Sequence, residues 1–510
     1  MSISGAGIGN AWSGWISQTL TKIHDDLNSK SAQLATGKIS TTNSGLGNSV
    51  FEVLDLQSQL SSSDIFANSN ISVNADLTTS INAITSLSDA AKATRNGPLA
   101  AINVSDPAGR ASRQSQLKSV LTSALDYVNT RGINGYIFGG ANTSSAPALD
   151  LTSILNGDAS TGQDGLGKLI TERQSADLGS DGLGRMGIVG NGPQVTLTSP
   201  AAEFPFGMSI KSTSSTFSKG SATLSTSSPA TMTADFSSGI PNSGESVTIT
   251  LALPDGTITP LVMTAGTANG MGTFALGATA ADTATNFQSA LTTSLKQVAN
   301  VQLFNASAQR QATDFFTASS GSPPQRIIPG SDGTLSSATG FSTDATANAA
   351  RTISWYSGTD ANSGGDPRQD ISVFIADGMR IGTGVRGNEK GFVETLAALA
   401  AATVITPSTT DETLANLQFT DLVSRSGAQV TACSTDLQSI SASLSSVQST
   451  VKLESSNQAA YKAVLQQAFD SKTSVTPEQA AAELSALQTQ LQVAYQVTSK
   501  LMKMSLADYL

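Results

Sequence analysis

The sequence predicts an α+β protein in which long N- and C-terminal helices pair as an antiparallel coiled coil or helical bundle, with a β-rich central region of one or two outer domains. Three observations carry this expectation. Apolar residues recur at helical spacing near both ends, the middle is dense in Gly, Ser, Thr and Pro with alternating apolar positions, and only 13% of the 510 residues are charged.

The N-terminal stripe is Trp12, Ile16, Leu20, Ile23, Leu27 and Leu34, with steps of three, four or seven that trace one face of a helix. Gly37 ends it. A second helical stretch carries Ile71, Leu77, Ile81, Ile84 and Ala91 until Asn96-Gly97-Pro98 interrupts it. Asp106-Pro107 restarts the helix, with Asp as N-cap and Pro at the first helical position. Its stripe, Leu117, Leu121, Ala124 and Val128, runs to Arg131-Gly132. The far end mirrors this pattern. A stretch low in Gly and Pro from about Leu414 to Phe469 is followed by Thr476-Pro477-Glu478-Gln479, which reads as N-cap, first-turn proline and capping-box partner. The helix it opens places Leu484, Leu487, Leu491, Ala494, Thr498 and Leu501 at alternating steps of four and three, a heptad seam; Leu506 follows near the end. At about 1.5 Å per residue, a stripe of ~25 residues makes a rod of roughly 40 Å. A narrow apolar seam on one rod needs a partner rod, and the rod at the other terminus is the expected one.

These boundaries suggest an N-terminal helical part over 1–141, a linker and β/loop segment over 142–194, a variable β-rich outer domain over 195–345, a returning β segment over 346–390 and a C-terminal helical part over 391–510. Within the middle, Val247, Ile249, Leu251 and Leu253 alternate before Pro254-Asp255-Gly256 turns the chain into Ile258 and Leu261, a hairpin pattern. A short helix with Phe287, Leu291, Leu295 and Val298 follows.

Composition excludes much chemistry. A single histidine, His24, and a single cysteine, Cys433, leave no material for a His-based triad, a Cys-rich zinc site or a disulfide framework. The net charge of −10 argues against nucleic acid as a partner. A charged share of 13%, against roughly 25% in average proteins, leaves neutral polar groups to cover the surface and does little to keep copies of the chain apart. The start lacks the basic and apolar regions of a secretory signal, and the apolar run Leu396 to Ile405 is too short to span a bilayer, so a soluble chain is expected. Two segments match a dinucleotide glycine pattern, Gly182 to Gly187 and Gly382 to Gly387. The second follows a strand and precedes a helical run but has no second parallel strand after it, as a nucleotide fold needs, and both are read as glycine-rich turns between strand and helix. No catalytic, cofactor-binding or metal residues are assigned, and no enzyme is expected.

Three segments then resemble a known family. Leu34-Ala35-Thr36-Gly37-Lys38-Ile39, Gly135-Tyr136-Ile137-Phe138-Gly139-Gly140-Ala141-Asn142-Thr143 and the final Met504-Ser505-Leu506-Ala507-Asp508-Tyr509-Leu510 are similar to segments of the flagellin superfamily, most closely its hook-filament junction branch of the hook-associated protein 3 type. A weaker match joins Ile353-Ser354-Trp355-Tyr356 to Gly384-Val385-Arg386-Gly387-Asn388-Glu389. Together these cover about residues 1–190 and 350–510. The chain departs from the family after Lys38, where Thr42-Asn43-Ser44-Gly45-Leu46-Gly47 replaces the usual Pro-Ser-Asp-Asp-Pro type of stretch.

The resemblance implies a structural subunit of the bacterial flagellum, exported without a cleaved signal peptide and located outside the cell at the junction of hook and filament. It implies self-assembly into a ring, contact with other hook-associated proteins and flagellin, and a cytoplasmic export chaperone on the C-terminal helix. It implies no membrane insertion. On that reading the assembly interface comprises Trp12, Ile16, Leu20, Ile23, Leu27 and Leu34 together with Leu484, Leu487, Leu491, Leu501 and Leu506. A filament flagellin remains an alternative, and a secreted adhesin or carbohydrate-binding protein a further one.

Overall fold

The computed structural model describes the backbone of residues 6–96, 104–225, 227–319, 321–360 and 364–507, and the side chains of these except 6–13, 96, 501–502 and 504–507. It is a mixed helix and sheet protein with long helices at both ends. Eleven α-helices are described: α1 (Ala6–Thr36), α2 (Val50–Asn96), α3 (Pro107–Val128), α4 (Leu151–Asn156), α5 (Leu166–Leu178), α6 (Ala280–Val298), α7 (Phe304–Thr317), α8 (Ala345–Arg351), α9 (Lys390–Val404), α10 (Glu412–Thr473) and α11 (Pro477–Ala507). The chain divides into two compact units, one of residues 1–71, 374–379 and 451–510, the other of residues 72–373 and 380–450.

The smaller unit is built from α1, the start of α2, the end of α10 and α11. Gly37 takes a left-handed φ of 68° and donates its N–H to the Gln33 carbonyl at 2.8 Å, which closes the last turn of α1 as a glycine C-cap does. Residues just past this cap meet the junction of α10 and α11. Ile39 N–H donates to Thr473 O at 2.8 Å, and Val475 N–H donates to Gly37 O at 3.0 Å. Helix α11 begins as its sequence directs, with Pro477 in the first turn and the Gln479 N–H donating to the Thr476 hydroxyl at 3.3 Å. The first part of α2 runs beside the last part of α10, tied by Tyr461 OH donating to Gln59 Oε1 at 2.9 Å and by a Lys472–Glu52 ion pair at 2.7 Å.

In the larger unit, α9 is the central helix. From Leu396 to Ala402 it is buried all round, and α3, α5 and α7 pack against it. Its alanines allow that close approach, because a helix that is apolar on every side belongs inside a core. Eight strands form two four-stranded sheets: β1 (Gly187–Asn191), β2 (Gln194–Thr198), β3 (Ser209–Ser215), β4 (Ser221–Ser225), β5 (Thr231–Asp235), β6 (Ser246–Ala252), β7 (Ile258–Gly266) and β8 (Thr273–Ala275). One sheet has the order β1-β2-β5-β4 and is antiparallel throughout; the other runs β8-β7-β6-β3, with β7 and β8 parallel.

The hairpin read from Val247 to Leu261 is β6 and β7, paired from Ser246↔Thr264 to Ala252↔Ile258. Val247, Ile249 and Leu251 are fully buried and the residues between them are not, which is the period of two that a half-buried strand requires. Helix α6 opens with a capping box between Thr279 and Asp282 and lays Phe287, Leu291 and Leu295 on the same core. Phe274 and Phe287 meet edge to face at 5.1 Å, and Phe236 and Phe287 at 5.6 Å. A π turn, Ala299–Leu303, joins α6 to α7. A further short hairpin, β9 (Ser372–Ala376) and β10 (Met379–Gly382), precedes α9, and its residues 374–379 belong to the smaller unit.

Candidate assembly interface

Helices α1 and α11 lie side by side and antiparallel. The direction follows from three links along their length: an isolated bridge between Lys38 and Ser474, an ion pair between Lys30 and Glu483, and the His24 imidazole 3.3 Å from the Tyr495 hydroxyl. These links bring residues 24–38, in α1 and the turn after it, alongside residues 474–495 of the α10–α11 junction and α11. Along α11 between residues 481 and 500, the only positions that are not fully exposed are Leu484, Leu487, Leu491, Ala494 and Thr498, at steps of three and four. On α1, Ile16, Leu20, Ile23 and Leu27 are half-buried in the same manner.

One residue of the α1 stripe, Leu34, behaves differently from its middle. Leu34 is 37% exposed, and Gln33 takes the inward position at 9%. The cause is the helix end: Gln33 donates through Nε2 to Ile39 O at 2.8 Å and accepts from Lys30 Nζ at 3.1 Å, so the turn beyond Gly37 closes over Gln33. Lys30 is the seam member that sequence reasoning passed over. Continuing the steps from Leu27 reaches residue 30, where a lysine can lay its methylene stem on apolar surface and send its charge to the rim, here to Glu483. The side chains of Trp12, Leu501 and Leu506 lie outside the described residues.

In the larger unit, the segments Gly135–Thr143, Ile353–Tyr356 and Gly384–Glu389 converge. The Tyr356 hydroxyl donates to Phe138 O at 2.7 Å, and the Gly387 N–H reaches both that carbonyl at 2.7 Å and the Tyr356 oxygen at 3.2 Å. Gly140 N–H donates to Val385 O at 3.1 Å, and the Phe138 ring tilts against Phe392 of α9 at 5.2 Å. Burial drives the Tyr356 phenol well above its ordinary pKa. Beside it, Arg386 forms a two-pronged pair with Asp370, at 2.6 and 2.8 Å, and this bond raises its pKa further. Glu389 accepts from Arg368 and from the Arg386 N–H at 2.9 Å, yet burial outweighs these partners and lifts its carboxyl above the usual range.

The glycines of the second Gly-rich motif are packed against protein rather than open to a phosphate. A side chain on Gly384 would meet Pro367 O at 2.3 Å, and one on Gly382 would meet Arg368 O at 2.5 Å. In the first motif, Gly184 faces Met208 and Leu303 within 3 Å. The second loop is therefore filled by its own chain, whereas in the first a side chain on Gly182 would meet nothing within 4 Å. His24 is exposed, Cys433 is buried in α10, and among the described residues no three His, Cys, Asp or Glu side chains gather as a metal site. No described helix is long and apolar enough to cross a membrane. No family model, curated protein or solved structure matches this chain.

Proposed function

We propose that this chain is a non-enzymatic structural subunit of the bacterial flagellum, a hook-filament junction protein that assembles through its terminal helices. The observation that carries the reading is the antiparallel α1/α11 pair, whose seam residues from Ile16 to Leu27 and from Leu484 to Thr498 are half-buried. We read this pair as a coiled coil. Two lone rods bury only one side of a seam, and a helix pair of this kind is marginal in water until neighbours supply the remaining contact. A ring of copies of this chain, bounded by other hook-associated proteins on one side and flagellin on the other, provides such neighbours. In this account the unit carrying the two four-stranded sheets faces outward as the variable domain, and an export chaperone covers the C-terminal helix before assembly outside the cell.

Removal of residues 476–510 tests the proposal. The truncated chain is expected to keep the circular dichroism of the β-rich unit and to fail to restore filaments in a strain lacking the gene. Filaments restored by the truncated chain would overturn it.

A further inference from the structure

A cleft of about 530 Å³ opens in the larger unit where three elements meet: the β6–β7 turn, the π turn before α7, and α10. Wide π turns recur at functional positions. Arg425 of α10 crosses the cleft floor, pairing with Asp255 of the β6–β7 turn at 2.6 Å and with Asp421 at 3.3 Å, and donating to the Thr257 hydroxyl. The Asp255 side chain is 5% exposed and that of Arg425 11%. Gln302, on the π turn, also lines the cleft, and its buried side-chain oxygen takes no hydrogen bond from the described residues. The walls add the hydroxyls of Thr259 and Ser424 and the apolar surfaces of Ile258 and Ala428.

The chemistry of this lining narrows the ligand. Arg425 is the single cation in the cleft and is already held by two carboxylates, so a phosphate or carboxylate would meet Asp255 and Asp421 without a free guanidinium edge. A cation would compete with Arg425 for those same carboxylates. A wholly apolar molecule would desolvate the charged floor without replacing its hydrogen bonds to water. A neutral molecule that both gives and accepts hydrogen bonds, and that has an apolar C–H face for Ile258 and Ala428, satisfies every wall. We propose that this cleft binds a neutral saccharide of one or two sugar units, a size that suits cavities of roughly 300–1,000 Å³. The site is independent of the assembly reading above.

The test is saturation-transfer NMR on the full chain with glucose, galactose, N-acetylglucosamine, maltose and lactose. Ser424→Trp and Ala428→Trp, at exposed positions of α10, fill the cleft and leave every residue of the Arg425 clamp in place; Ser439→Trp, exposed elsewhere on the same helix, is the control. At least one sugar is expected to receive saturation from the unaltered chain and from the Ser439 variant. Binding should be about tenfold weaker in the cleft variants, as expected when a few ligand contacts are lost. No transfer to any sugar of the panel, or transfer unchanged by both cleft variants, would overturn the proposal.

Discussion

The hydroxyl of Tyr356 donates to the carbonyl of Phe138 at 2.7 Å across 218 residues of sequence. With Gly387 bonded to both atoms, this contact ties together three segments, Gly135–Thr143, Ile353–Tyr356 and Gly384–Glu389. Tyr356→Phe removes the donor and leaves Gly387 with Phe138 O alone. The buried ring remains and Phe138 O keeps its bond from Gly387, so the expected loss is that of one hydrogen bond, about 0.5–1.5 kcal/mol. A lower thermal midpoint with unchanged far-ultraviolet circular dichroism is the expected result; an unchanged midpoint would show that the node carries no stability.

Glu389 gives a pH signature of unusual sign. Burial raises its pKa above the unfolded value, so its protonated form is the one the fold prefers. Its contribution to stability is fully present below the unfolded pKa and is lost as pH rises through the raised, folded value. The unaltered chain should therefore gain on Glu389→Gln as pH falls from 7.5 to about 4.5, measured by denaturant unfolding. A gain in the opposite direction would mean that Arg368 and Arg386 dominate the carboxylate.

Cys433 reports on the α10 core. It is 1% exposed, and burial pushes its thiol pKa up to about 12. A disulfide reagent such as DTNB should leave it unmodified in the folded chain and modify one thiol per chain in guanidinium chloride. Rapid labelling without denaturant would place this part of α10 outside a stable core.

The terminal seam can be probed from the opposite helix. Leu487→Ala removes a half-buried side chain from α11, at a cost of about 1–2 kcal/mol, below the range for fully buried leucines. Amide hydrogen exchange in α1, near Ile23 and Leu27, should speed up roughly tenfold. Exchange confined to α11 would show that the two helices do not share stability.

Much of this organisation can be read in the residues. The spacing of Leu484, Leu487 and Leu491 locates the inward face of α11 because, among the described residues, α1 is the helix that packs along it. Local pattern fails where tertiary contacts decide. Ile71 falls on the predicted stripe but is 63% exposed, while Val73 is 4% exposed, because the buried face of α2 is set by what packs beside it. Leu34 yields to Gln33 because the chain beyond Gly37 folds back over the helix end. The Arg386–Asp370 pair and the Arg425 clamp join residues from separate elements, and no spacing rule announces them.

A chain that forms the junction between hook and filament, as proposed, sits where the two meet. Immunogold electron microscopy with an antibody to the sheet-bearing unit tests this position most directly. Label confined to the distal end of the hook is the predicted result; label along the whole filament, or none on flagella, would contradict it.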